Sequence, residues 1–130
     1  MKIYGLGTDI VDVKRIKLVL ERNNTFKNRI FSKSEISFCE KKNKNNNHYC
    51  YAKRFAAKEA FAKSIGLGIA KGLSFNEINV TNNKLGRPNL TIKGESLKTV
   101  HRILKKKKFN IFLSLSDDKT CATATVIITI

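Results

Sequence analysis

A chain of 130 residues has room for one sizeable hydrophobic core, so one domain spanning residues 1–130 is expected. Its formal net charge of +16 calls for an acidic partner, whether nucleic acid, coenzyme phosphates or an acidic protein. No apolar run reaches the length of a membrane span and no apolar signal-peptide core opens the sequence, so a cytosolic protein off the membrane is expected.

Part of that charge is discounted. Lysine and asparagine are abundant throughout, as in Lys41-Lys42-Asn43-Lys44-Asn45-Asn46-Asn47, a pairing that A/T-rich coding inflates regardless of function. Cys39, Cys50 and Cys121 are odd in number and show no CxxC spacing. Neither a disulfide framework nor a zinc site is indicated, and free thiols are expected.

In chain order, Lys2 to Ile10 reads as a strand relaxed by Gly5 and Gly7, glycines of the kind that mark close approach of a backbone or a ligand. Asp9 follows near its end, and Asp12 is the better N-cap for a helix carrying Ile16, Val19 and Leu20. Phe26 to Phe31 forms a second short helical piece. Ser32-Lys33-Ser34-Glu35 has capping-box spacing and starts a third helix with Ile36, Phe38 and Cys39. Glu35 is read as that cap, with a role in proton transfer as the alternative. Lys41 to His48 is read as a polar loop, leaving His48 as a solvated surface histidine.

The main helix runs from about Tyr49 to Ile65, stopped by Gly66 and Gly68. At about 100° per residue, Ala52, Phe55, Ala56, Ala60 and Ala62 fall within one apolar arc. Glu59 and Lys63 lie in the middle of it, one turn apart. One reading is a solvated i,i+4 ion pair. The other is a carboxylate compensated by a cation or a metal, since a bare one among apolar neighbours is costly. Arg54 and Lys58 share another face, open either to solvent or to phosphate and protein contacts.

Phe75 to Thr81 and Asn89 to Lys93 form a hairpin across Asn82-Asn83-Lys84-Leu85-Gly86-Arg87-Pro88. Gly94 to Lys108 is an amphipathic helix whose terminal lysines complement its dipole, with His101 at the core edge. Asn110 to Ser116 and Thr120 to Ile130 close the chain as a second hairpin around the turn-forming Asp117-Asp118. Together these predict an α+β fold, an antiparallel sheet packed against one long helix.

Four motifs in order, Gly5-Leu6-Gly7-Thr8-Asp9-Ile10-Val11-Asp12, Arg54-Phe55-Ala56-Ala57-Lys58-Glu59-Ala60, Gly66-Leu67-Gly68-Ile69 and Leu85-Gly86-Arg87-Pro88, closely resemble the small bacterial holo-[acyl-carrier-protein] synthases. The resemblance runs nearly end to end. It implies the 4′-phosphopantetheinyl transferase fold and transfer of the phosphopantetheine arm of coenzyme A to a serine of an acidic apo acyl carrier protein. It also implies Mg²⁺ held by Asp9 and Glu59, with Lys63 neutralising charge on the leaving group. Coenzyme contacts are implied at Arg54, Gly66, Gly68, Arg87 and Pro88, and homotrimers with active sites between subunits. Two hard oxygen ligands with open positions suit Mg²⁺, which completes its shell from water and substrate phosphates. The general base is left open among Glu59, Glu35 and metal-bound water. Lys14, Arg15, Arg22, Arg29 and Lys58 are the candidate docking patch for the acidic acceptor. The competing class is a nucleic-acid binder, which the charge allows but which leaves Asp9 and Glu59 unexplained.

Overall fold

The computed structural model describes residues 1–130. Strand β1 (Ile3–Asp12) leads through helices α1 (Val13–Arg22), α2 (Asn24–Ile30) and α3 (Lys33–Glu40) to the long helix α4 (Asn47–Ser64). A short 3₁₀ turn, Phe75–Glu77, precedes the hairpin β2 (Ile78–Asn82) and β3 (Pro88–Ile92). Helix α5 (Gly94–Leu104) and strands β4 (Asn110–Asp117) and β5 (Cys121–Thr129) complete the α+β fold. No helix is long and apolar enough to cross a membrane.

The main sheet is antiparallel in the order β1-β5-β4, and β2-β3 forms a separate two-stranded sheet. On β5, Ala122, Ala124, Val126 and Ile128 alternate inward and are buried against α4. A Cβ on Gly5 would lie 1.9 Å from the Ser64 carbonyl oxygen, and one on Gly7 equally close to that of Ala60. The glycines therefore let the α4 backbone rest directly on β1, and the close approach foreseen from sequence is helix on strand. On the opposite sheet face Leu6, Ile127 and Phe112 stand opposite one another across β1, β5 and β4, the outer two exposed and Ile127 half-buried. Ile10 is also solvent-facing there.

Local signals were reliable where one side chain met its own backbone. Asp12 caps α1 by accepting from the Lys14 and Arg15 N–H groups, and Ser32 with Glu35 closes the expected capping box on α3. Helix α5 stops at Leu104 and not at Lys108, because Lys105 takes a left-handed conformation, φ 56°, and donates its N–H to the His101 carbonyl.

The expectation of free thiols fails for one pair. Cys39 and Cys50 are joined in a disulfide, because the turn between α3 and α4 returns the chain and sets their Cα atoms 5.6 Å apart. Cys121 remains free. His48 is likewise not a surface residue: it lies in the first turn of α4, buried, with its ring 4.4 Å from that of Tyr49. Burial, the largest cause, and Lys17 both pull its pKa down, against Glu21.

Candidate active site

The seating of α4 on β1 decides which side chains meet. Asp9 is two residues beyond Gly7, so strand alternation points it toward the same helix. There Lys63 Nζ donates to Asp9 Oδ1 at 3.0 Å and to the Thr8 carbonyl at 2.9 Å. Glu59, one turn earlier, is half-buried, and its pKa is raised first by burial and then by the Asp9 charge, with Lys63 opposing. No Glu59–Lys63 pair lies within 4.0 Å, so the solvated i,i+4 pair is not what forms.

Asp9 and Glu59 line one cleft of about 330 Å³, walled by Ile16, Val19, Phe26 and Phe55, with Asp12 and Arg15 from the start of α1. No third metal-ligating side chain joins the two carboxylates. That donor set fits Mg²⁺, which keeps waters and takes phosphate oxygens. Burial first, and the Asp9 charge second, raise the proton affinity of Glu59, and a cation bound between the two carboxylates would offset both.

A second cleft, about 580 Å³, opens on another side of α4 and shares no lining residue with the first. Arg54 is at its wall and is 2% exposed, which excludes the solvated reading for it. Its Nη2 donates to Asn82 Oδ1 at 2.7 Å and its Nη1 to Cys50 Sγ at 3.4 Å, and its guanidinium lies 4.5 Å over the Phe38 ring. Its buried Nε has no partner. Lys42, Lys53 and Lys84 add cations to the same cleft, and Lys53 lies 3.5 Å from Asp117. These three lysines and Asn82 were missed in the sequence, where nothing in their spacing sets them apart from a lysine- and asparagine-rich background. Gly86 lines this cleft, with Arg87 and Pro88 next to it at the start of β3. Gly66, with φ 78°, and Gly68 are exposed in the segment leaving α4 beyond Lys63, with open space where a Cβ would stand.

Two expected roles are withdrawn. Lys58 is fully buried: its Nζ donates to Glu35 Oε1 at 2.7 Å and to the Phe75 and Ile78 carbonyls, so it belongs to no docking patch. Burial pulls its pKa down to about 8, although Glu35 pushes the other way. Glu35 also accepts the Ser32 and Val80 N–H groups and is fully buried, so no substrate proton can reach it. Lys14, Arg15, Arg22 and Arg29 remain exposed on α1 and α2.

Residues 5–124 match the family model of the 4′-phosphopantetheinyl transferase superfamily. The chain is 45% identical to the holo-[acyl-carrier-protein] synthase of Pelagibacter ubique, over 98% of both sequences. Its structure is similar to that of the Neisseria meningitidis holo-[acyl-carrier-protein] synthase, with TM-score 0.83 at 36% identity, covering 98% of this chain and 99% of that one. It is similar too to the Bacillus anthracis enzyme solved in complex with coenzyme A (3′,5′-ADP), with TM-score 0.81 at 31% identity, covering 98% and 97%.

Proposed function

This chain belongs to the 4′-phosphopantetheinyl transferase superfamily, and from that premise we infer a holo-[acyl-carrier-protein] synthase that moves the phosphopantetheine arm of coenzyme A onto apo acyl carrier protein. The observation that carries the catalytic assignment is the meeting of Asp9 from β1 and Glu59 from α4 in one cleft, with Lys63 bonded to Asp9. The acceptor serine Oγ attacks the β-phosphorus of coenzyme A, the bond to the bridging oxygen breaks, and adenosine 3′,5′-bisphosphate leaves.

In this reading Asp9 and Glu59 are the ligands of a Mg²⁺ ion, which supplies charge neutralisation for the pyrophosphate. Lys63, exposed and already oriented by Asp9 and Thr8, meets the charge that develops on the leaving bisphosphate. With Glu35 sealed inside, Glu59 or water receives the serine proton. Direct transfer requires no covalent enzyme intermediate.

Arg54, with Gly86, Arg87 and Pro88 beside it, takes the nucleotide end of the coenzyme, and Gly66 and Gly68 allow the arm to pass close to the backbone. Within one copy of the chain, the carboxylates and Arg54 belong to separate clefts. That division, and the apolar row in which exposed Leu6 and Phe112 flank the half-buried Ile127, support a homotrimer whose sites are completed by a neighbouring copy. Lys14 and Arg15, just after the Asp9 strand, together with Arg22 and Arg29 farther along α1 and α2, steer the acidic carrier protein. The cytosolic placement belongs to the same proposal.

The test is mass spectrometry of apo acyl carrier protein after incubation with this protein, coenzyme A and Mg²⁺, with an EDTA control. Gain of one phosphopantetheinyl group, lost with EDTA, is expected. No gain from folded protein and a competent acceptor would overturn the assignment.

A further inference from the structure

The Cys39–Cys50 disulfide lies at the wall of the second cleft, and nothing in the transfer chemistry uses it. Cys50 lines that cleft together with Lys42, Asn46 and Arg54, while Cys39 is fully buried behind it. The covalent link closes the segment that carries Lys42 and Asn46. Lys42 to Asn46 is exposed, and its backbone bonds only to neighbours between Cys39 and Cys50. No other hydrogen bond of that backbone ties it to the body of the protein; Glu40 bonds Asn47 and Tyr51 across the same connection and Lys42 lies 5.1 Å over the Phe38 ring, and the disulfide is the covalent constraint added to these.

We infer that Cys39 and Cys50 form a reversible thiol–disulfide switch that controls anion binding in this cleft, closed and competent when oxidised. The inference rests on the reading of the cleft as the coenzyme's nucleotide site. A dithiol reductant entering by the cleft meets Cys50 Sγ first. Its thiolate attacks that sulfur, the protein S–S bond breaks, and Cys39 leaves as a thiolate and takes up a proton. The reductant's second thiol, as thiolate, then attacks its own sulfur in the mixed disulfide and expels Cys50. The protein has gained two electrons and two protons, and the reductant departs as a disulfide.

Two consequences converge on the ligand. The Lys42–Asn46 segment is freed, so binding must order it again. Arg54, whose Nη1 donates to Cys50 Sγ at 3.4 Å, loses the fixed position of that sulfur, so one of the anchors that hold its guanidinium in the cleft is loosened.

The experiment is calorimetric titration of the intact protein with adenosine 3′,5′-bisphosphate, oxidised and after dithiothreitol, with free thiols counted and hydrogen exchange followed at residues 42–46. Reduction is expected to weaken binding about fivefold to tenfold and to speed exchange in that segment, both reversed by reoxidation. The Cys39→Ser/Cys50→Ser variant, with folding checked by circular dichroism, is expected to hold the weaker affinity with or without dithiothreitol. Equal affinity in the two wild-type states, with thiol content confirmed, overturns the switch and leaves the coenzyme reading intact. Absence of binding in both states overturns the coenzyme reading of the cleft; unchanged exchange at 42–46 then removes the lock as well.

Discussion

Lys63 pairs with Asp9, 54 residues away, at 3.0 Å, and not with Glu59 one helical turn before it. The tertiary partner wins because β1 lies against α4 where its glycines remove the side chains that would hold it off. Glu59 is thereby left half-buried beside a second carboxylate, with a raised proton affinity in place of an ion pair. The pair itself is half exposed and adds little stability, so its role is positional.

Asp9→Asn and Glu59→Gln each preserve shape while removing a negative oxygen ligand. Transfer to acyl carrier protein is expected to fall by about 100-fold or more in either variant. The thermal midpoint should stay near wild type. Wild-type turnover in either variant, measured by mass shift of the carrier protein, would sink the metal-site assignment.

Gly7→Ala tests the seating of α4. The new Cβ would stand 1.9 Å from the Ala60 carbonyl oxygen, against helix backbone that cannot step aside alone. A loss of about 2–4 kcal/mol is expected from urea unfolding, or failure to accumulate folded protein. Gly68→Ala, with open space at its Cβ, is the control and should change stability far less.

Lys58→Ala strands the Glu35 carboxylate inside the protein. The expected cost is about 3–5 kcal/mol, read by urea unfolding. Glu35→Gln should cost less: its single amide oxygen serves only one of the two N–H groups that Glu35 accepts, but Lys58 keeps the Phe75 and Ile78 carbonyls and, with a pKa already down to about 8, sheds its proton readily. Equal losses in the two variants would argue that the charge is not what matters.

Acid should act through two caps. Asp118 accepts the Cys121 and Thr120 N–H groups and the Thr120 hydroxyl, which holds its pKa down to about 2. Glu77 is also lowered, first by the Ser96 hydroxyl and further by the backbone N–H groups of Ser96 and Glu95. Both are depressed in the folded state, so the unfolded chain binds more protons. Their stabilisation is present above the ordinary carboxylate values of 3.8 and 4.5 and is lost as pH falls toward about 2. Asp118→Asn should flatten the stability profile between about pH 4 and pH 2, measured by urea unfolding at each pH.

The sequence by itself determined what nearest neighbours decide. Asp12 and Ser32-Glu35 cap their helices and Asp117-Asp118 turns a hairpin, because each needs only its own neighbours, while Gly5 and Gly7 marked a close approach whose partner, α4, came only with the fold. The motifs around Asp9 and Glu59 stood out through their resemblance to a known family, and local spacing alone left Glu59 equally open to a solvated ion pair with Lys63. Only the tertiary structure decided Lys58, Arg54, His48 and the Cys39–Cys50 bond. Helix α4 is buried on several sides: the main sheet takes its alanine face, while α1, α3 and β2 cover others. Periodicity finds one apolar arc and assigns its charged residues elsewhere to solvent. Whether Lys58 meets water or Glu35, and whether Cys50 meets water or Cys39, depends on elements distant from α4's local pattern. Burial there is a property of the assembled layers, set by what else must pack to cover the core.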